Sequence, residues 1–575
     1  MHPVIKAQCQ QFKINESLHH MSESDVFEAY TIYSVISGQL GHGIDPLQVH
    51  LKGNEFGLDG AAVIIQGNLV TDTDEATAAL QDINNPEVEF VFFQSKTGSS
   101  YDYGDIGKLF DAVDEFFDDE LYGESDQLDD LINVKDLIYR KAVAKKNPGL
   151  RIYYATSGLY KNPARIEKLI EDRTGRLRDR SIFDKDSIVV EMLGADKLQT
   201  FYRSASRSAQ VKIEFPRQVP LPKNEKVEQG YIGFIDASQL VKMVEVTDND
   251  GVVIDINRYI FFDNVRDYNE NSPLNKRISD TIDEHQGADF VFRNNGVTVI
   301  AKSIHRTADE FRIEDYQIVN GCQTTNILFN NRGNLKDVSV PFRLIGTTDD
   351  EFIASIIIGT NSQNKINEEQ FLALLPFVKN IEEYCQSIDD QLKIFIERRE
   401  NQYQREQIER ARIMQLPVLM KAISATLLNQ PNRSARDYKK IFKENSGVIF
   451  QEESDVRLYH AVAYLYYRLE FLWRNQKIEN ALKIYRFYIL WAVYQTITKG
   501  VDVLKVRKPK DVASIAKSIV DTAADEEKFK AVVKDVSKKL TKLAAQLSSE
   551  NREKLRDSIR ADTFFLRVRE MLFPK

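Results

Sequence analysis

Cysteine is scarce in this chain: Cys9, Cys322 and Cys385 are the only three among 575 residues. Thiols so few and so far apart build neither a disulfide framework nor a Cys-rich zinc site, so a reducing compartment, the cytoplasm, is the expected location. Long apolar runs are lacking too. The most apolar stretch, FYILWAVY from Phe487 to Tyr494, falls well short of the ~20 residues that cross a bilayer and reads as a core helix. The opening MHPVIKAQCQQF lacks the basic-then-apolar pattern of a signal peptide, and no membrane partner is expected. With 15 Pro and 26 Gly the chain is not fibrous, and 42% hydrophobic residues are too many for a disordered one.

An excess of positive charge is also missing; the net charge is −9. Its location matters more than its sign. Residues 102–130 hold twelve acids against one base, Lys108, which accounts for the whole imbalance. The rest of the chain is close to neutral, so the total does not exclude a polyanionic partner. Basic clusters interleaved with aromatic residues, such as ERRENQYQRE (397–406) and NRSARDYKKIFK (432–443), suit phosphate contacts with stacking, although most such runs are solvated faces.

Three textures divide the sequence. Residues 1–215 alternate helix signals (about 24–40 and an acidic amphipathic stretch at 105–120) with strand signals at 60–66, 88–95, 151–156 and 187–193. FPRQVPLPKNEKVEQG (215–230) reads as a linker or extended crossing. Residues 216–400 begin with short β-branched runs and Asn-Gly turns. From about 401 to 575 apolar residues recur at three and four, which predicts a helical region. The expected class is therefore multidomain α/β followed by α.

The sharpest chemical signal is VEFVFFQSKTG (88–98). In a strand, Val88, Phe90, Phe92, Gln94 and Lys96 share one face, so an apolar stripe ends in an amide oxygen and an ammonium side by side. Upstream, GLDGAAVII puts Asp59 at the mouth of another strand, and Glu28 is the only charged residue between Val26 and Leu40. Asp59 and Gln94 can hold a hard divalent cation, Mg²⁺ or Mn²⁺, through oxygen, with Glu28 as a further ligand. Such an ion acidifies water and stabilises phosphoryl charge, and Lys96 can orient that water or neutralise the transition state. Alone, each residue also has an ordinary reading. Asp59-Gly60 is a turn signal, Asp25 and Glu28 suit a helix start, and Gln94-Ser95-Lys96 suits a solvated strand end.

At these residues the chain resembles the PD-(D/E)XK nuclease superfamily, with its restriction-endonuclease-like αβββαβ core. The resemblance implies a nuclease domain over 1–215 with Asp59, Gln94, Lys96 and Glu28 as the catalytic set, and nucleic acid, DNA ahead of RNA, as partner. Gln94 stands where the superfamily usually has Asp or Glu. The 35 residues from Asp59 to Gln94 imply a longer strand or an inserted loop near TDTDEATAALQDINNPE.

In the middle region, DFVFRNNGVTVIAKSI (289–304) reads as strand, Asn-Gly turn, strand. EDYQIVNGCQTTNILFNN (314–331) reads as a strand ending at Val319, a tight turn, then a helix from Cys322. A strand–Gly–helix junction aims backbone amides at one spot, a generic anion site. Arg266, Asn294, Asn295, Asn320, Gln323, Thr324, Asn361 and Gln363 are the candidate ligand-binding residues, and a nucleotide is the candidate ligand. Turn and helix caps explain the same residues structurally.

YIGFIDASQLVKMV, FDNVRDY, FRNNGVTVI, QIVNGCQTTN and GTNSQNKI, in that order over roughly 230–400, resemble the AIPR family, named for abortive-infection phage-resistance proteins. That resemblance implies a cytoplasmic metal-dependent nuclease of phage defence. A homodimer would supply two active sites for a duplex. The alternative is a non-catalytic sensor that binds nucleic acid or a nucleotide.

Overall fold

The computed structural model describes residues 1–51, 57–80, 86–141, 147–206, 209–247, 252–261, 289–360, 372–373, 375–398, 402–403, 408–434, 438–445, 447–451, 453–546 and 558–573. Among them, no helix is long and apolar enough to cross a membrane. The chain is a mixed α/β protein with a helical C-terminal part.

Helices α1 (Pro3–Asn15) and α2 (Glu23–Leu40) open the chain. Ser22 caps α2 by accepting from the Asp25 N–H while the Asp25 carboxylate accepts from the Ser22 N–H. A five-stranded sheet follows, built from β1 (Gly60–Ile65), β2 (Asn68–Val70), β3 (Val88–Lys96), β4 (Gly149–Thr156) and β5 (Ile188–Leu193) in the order β2-β1-β3-β4-β5. β1 runs antiparallel to β2 and β3, while β3, β4 and β5 are mutually parallel. The inserted segment is β2 with the short helix α3 (Thr73–Ala79).

Both faces of this sheet are covered, so its inner strands are nearly continuous apolar runs. Val88, Phe90 and Phe92 pack with α4 (Tyr103–Phe117), α5 (Asp126–Lys141) and α6 (Ala164–Asp179). Val91 and Phe93 face the other way, into a cluster with α1, α2 and α7 (Ala195–Ser206). Part of the acidic run is matched by bases. Asp111 pairs with Arg173 at 2.7 Å, Asp114 and Asp118 with Arg180, and Asp119 with the buried Lys135.

A second sheet has six strands: β6 (Gln210–Glu214), β7 (Arg217–Pro220), β8 (Gln229–Asp236), β11 (Val297–Thr307), β12 (Glu310–Asn320) and β13 (Ser339–Gly346). Their order is β6-β12-β11-β13-β8-β7. The helix α8 (Ala237–Lys242) and a ribbon of β9 (Glu245–Thr247) and β10 (Val253–Ile256) lie between β8 and β11 in sequence. Two expectations change here. Part of the Pro-rich stretch at 215–230 is β7, an edge strand, where Pro220 costs no ladder bond. Phe290–Arg293 is a helical turn rather than a strand. β11 finds its antiparallel partner downstream, in β12, so Asn295-Gly296 joins helix to strand and makes no hairpin.

The C-terminal helices enclose one large core that includes Trp473 and Trp491. Tyr464 and Tyr467 are buried in it, which makes the aromatic helix Val456–Arg474 a packing element. Helix Pro509–Ala524 packs along it. This region grips the N-terminal helices through a buried ionic seam. Arg410 reaches Glu16 at 2.9 Å and the Tyr33 hydroxyl of α2 at 2.9 Å. Arg474 donates to the Glu16 carbonyl at 2.9 Å and pairs with Asp45 at 2.8 Å. Burial holds the Glu16 carboxyl above the usual carboxylate range even though Arg410 and Arg474 pull it down.

Breaking such a pair strands a buried charge, at a cost of about 3–5 kcal/mol. Arg410→Met is therefore expected to unfold at lower urea, followed by the fluorescence of the two tryptophans, Trp473 and Trp491. Adding Glu16→Gln is expected to recover part of the loss.

Candidate active site

The pairing of β1 with β3 brings distant residues together. Gly60 lies opposite Phe93 and Ala61 opposite Phe92, so Asp59, just before β1, comes to the Phe93–Ser95 end of β3. The Asp59 N–H donates to the Phe93 carbonyl at 2.8 Å. Its carboxylate Oδ2 accepts from the Ser95 N–H. Asp59 and Gln94 are both buried, and Lys96, the last residue of β3, is half-exposed at the mouth.

The chain beyond Lys96 is tied down against the end of β4. Ser157 donates its hydroxyl to the Thr97 carbonyl at 2.7 Å and its N–H to the Gly98 carbonyl at 3.0 Å. Gly158 comes so near the Ser99 carbonyl that a Cβ there would lie 2.1 Å from the oxygen. Only glycine fits this approach.

From α2, Glu28 completes the group. It is buried, its Oε2 is 2.9 Å from His50 Nε2, and its Oε1 accepts from the Ser24 hydroxyl at 3.2 Å. Burial, and then the neighbouring Glu28 carboxylate, push the Asp59 carboxyl up to about 7; the Ser95 N–H and Lys96 oppose that rise, and Asp105 of α4 adds to it. Gln94 Oε1 is buried with no hydrogen-bond partner among the described residues. Among the described residues no three side chains of His, Cys, Asp and Glu group as a ready metal cage. The donors here are instead two carboxylates and an amide oxygen. A buried carboxyl whose proton affinity is raised by a neighbouring carboxylate, next to an amide oxygen without a partner among the described residues, suits a hard cation.

All four predicted catalytic residues thus belong to one neighbourhood. His50 was not among them. It sits in DPLQVHL, a lone histidine between the buried Val49 and Leu51, and only the fold reveals what it touches.

The second candidate cluster is partly assembled. Asn294 Nδ2 donates to Thr324 Oγ1 at 2.9 Å, and its Oδ1 accepts from the Gly296 N–H at 2.8 Å. Asn320 Nδ2 donates to the Thr360 carbonyl at 3.4 Å. Gly321, at φ +91°, starts the helix Cys322–Asn330 and nests on Gly296 and Val297, leaving a Cβ no room. Asn294, Asn320 and Thr324 therefore bond within the fold around two adjoining glycine turns. Asn295 is exposed and Gln323 half-buried. Arg266, Asn361 and Gln363 lie outside the described residues.

The family model of AIPR proteins matches residues 261–535, a little under half of the chain. The match takes in the Asn-Gly motifs and most of the helical region. It begins beyond YIGFIDASQLVKMV and leaves the Asp59–Lys96 site outside. Neither the curated proteins nor the solved structures compared with the chain include a match to it.

The Asp59 carboxyl holds its proton more tightly in the folded chain than in the unfolded one, where the ordinary value is 3.8. Its contribution to stability is therefore full below about pH 4 and is lost as the pH rises through 7. In chelator, Asp59→Asn is expected to melt above the wild type at pH 8, with the gap closing toward pH 4, as measured by scanning calorimetry.

Proposed function

We propose that this chain is a metal-dependent nuclease acting in abortive-infection phage defence, and that its catalytic groups are those around Asp59. The AIPR match over 261–535 supports the defence role. One observation carries the chemistry: Asp59, held by the Ser95 N–H next to Gln94, is buried within electrostatic reach of the buried Glu28, and Gln94 Oε1 has no hydrogen-bond partner among the described residues.

Asp59, Gln94 and Glu28 would hold Mg²⁺ or Mn²⁺. When bound, such an ion acidifies water and offsets charge on the phosphoryl oxygens. The remaining work falls to the chain itself. The Ser95 N–H fixes the Asp59 carboxylate, so this ligand is oriented before any ion arrives. Lys96, on the same face of β3 as Gln94 and nearer solvent, is set to meet the scissile phosphate and neutralise the charge that builds up on it. The buried aromatic floor of Phe90 and Phe92 keeps water from approaching from behind.

The expected substrate is nucleic acid in the cytoplasm, with DNA the first to test, and a homodimer would present two sites to a duplex. Incubating the purified protein with DNA and RNA in Mg²⁺, Mn²⁺ or chelator tests this directly. Cleavage is expected with metal only, and Asp59→Ala or Lys96→Ala should each slow it by roughly 100-fold or more. Binding without cleavage in every metal would instead make the chain a sensor.

A further inference from the structure

Resting on that reading, we infer that His50 is a positioning residue: it holds the Glu28 carboxylate toward the Asp59 site. Several observations converge on it. Residues 49–51 run beside Asp59 as one more rung of the sheet. The Ala61 N–H donates to the Val49 carbonyl at 3.1 Å, the Leu51 N–H donates to the Asp59 carbonyl at 2.9 Å, and His50 bridges Gly60. The backbone that carries His50 is therefore the backbone that braces Asp59.

From this rung the imidazole reaches across to α2, and its Nε2 lies 2.9 Å from Glu28 Oε2, where an ionised carboxylate can only accept. Ser24, one turn earlier on the same helix, donates to Oε1. With a donor on each oxygen, the carboxylate is fixed in one orientation, and one lone pair per oxygen stays available for a cation. His50 is 3% exposed and Glu28 6% exposed, so water does not compete for this contact. The other ring nitrogen, Nδ1, is buried and has no partner among the described residues, so the ring's single polar contact is the one to Glu28.

The rung is itself anchored. Asp45 accepts from the Leu47 N–H at 3.1 Å, starting the short turn Pro46–Gln48, and the His50 N–H closes onto the Pro46 carbonyl at 2.9 Å. Arg474 of the helical region pairs with the same Asp45 oxygen, Oδ1, at 2.8 Å. A hydrogen-bonding neighbour that orients a ligating carboxylate typically changes metal affinity by 10–100-fold when removed. A histidine that merely filled space would change stability and leave metal affinity alone.

The experiment is Mn²⁺ binding, read from the electron paramagnetic resonance signal of free Mn²⁺, for wild type, Asp59→Ala, His50→Leu, His50→Gln, Glu28→Gln and the His50→Leu/Glu28→Gln double variant. Thermal melting of each confirms that it is folded. His50→Leu is expected to weaken Mn²⁺ by about tenfold. His50→Gln, which keeps an N–H donor, should restore most of that affinity. In the Glu28→Gln background, His50→Leu should weaken binding no further, because the two act through one ligand. Should His50→Leu fail to fold, the comparison of His50→Gln with Glu28→Gln decides the matter: equal losses overturn the inference. Wild-type affinity in His50→Leu, with binding lost in Asp59→Ala, overturns the role of His50 and leaves the metal site standing. Absence of Mn²⁺ binding by the wild type overturns both.

Discussion

The antiparallel register of β1 against β3 is the constraint on which the candidate site depends. A shift by one residue would carry Asp59 away from the Phe93 carbonyl and the Ser95 N–H that hold it at the end of β3. The register is held by burial on both sides. Phe90 and Phe92 must reach the α4–α6 layer while Val91 and Phe93 reach the α1–α2 layer, and a slip would exchange the two sets. The cost of the arrangement is electrostatic: Asp59 and Glu28 are buried together, and burial and the Glu28 carboxylate oppose ionisation of Asp59. A cation between them would offset that cost.

The ionic seam ties this layer to the helical region. Arg410 and Arg474 come from the part of the chain matched by the AIPR family model, and their partners are Glu16 at the end of α1, Tyr33 of α2 and Asp45 in the loop that follows. Tyr33 and Glu28 share α2, and Asp45 lies five residues before His50. The helices thus grip both elements that carry the Glu28–His50 pair. The two parts of the molecule are joined mechanically at the point where the candidate chemistry sits.

Much of this was legible in the sequence, and the reasons are local. The period of two in VEFVFFQSK gives both the strand and the face that carries Gln94 and Lys96, because side-chain alternation needs no tertiary knowledge. Gly321 announces its turn because only glycine accepts that backbone angle without cost. What escaped reading is what depends on distant partners. Phe290–Arg293 has the composition of a strand, yet β11 pairs elsewhere. Arg410, in IERARIM, carries no mark of burial, and its partner Glu16 is 394 residues away. His50 carries no motif, and its meaning lies in a contact with Glu28, 22 residues earlier, that exists only once the sheet has formed.

The proposed cation site is made by Glu28, Asp59 and Gln94 together. Anomalous diffraction from crystals soaked in Mn²⁺ would locate the ion. The expected peak is bonded to the oxygens of Asp59 and Gln94, with Glu28 beside it and Lys96 at the entrance. Crystals that bind Mn²⁺ elsewhere or not at all, with Gln94 Oε1 still without a partner, would contradict it.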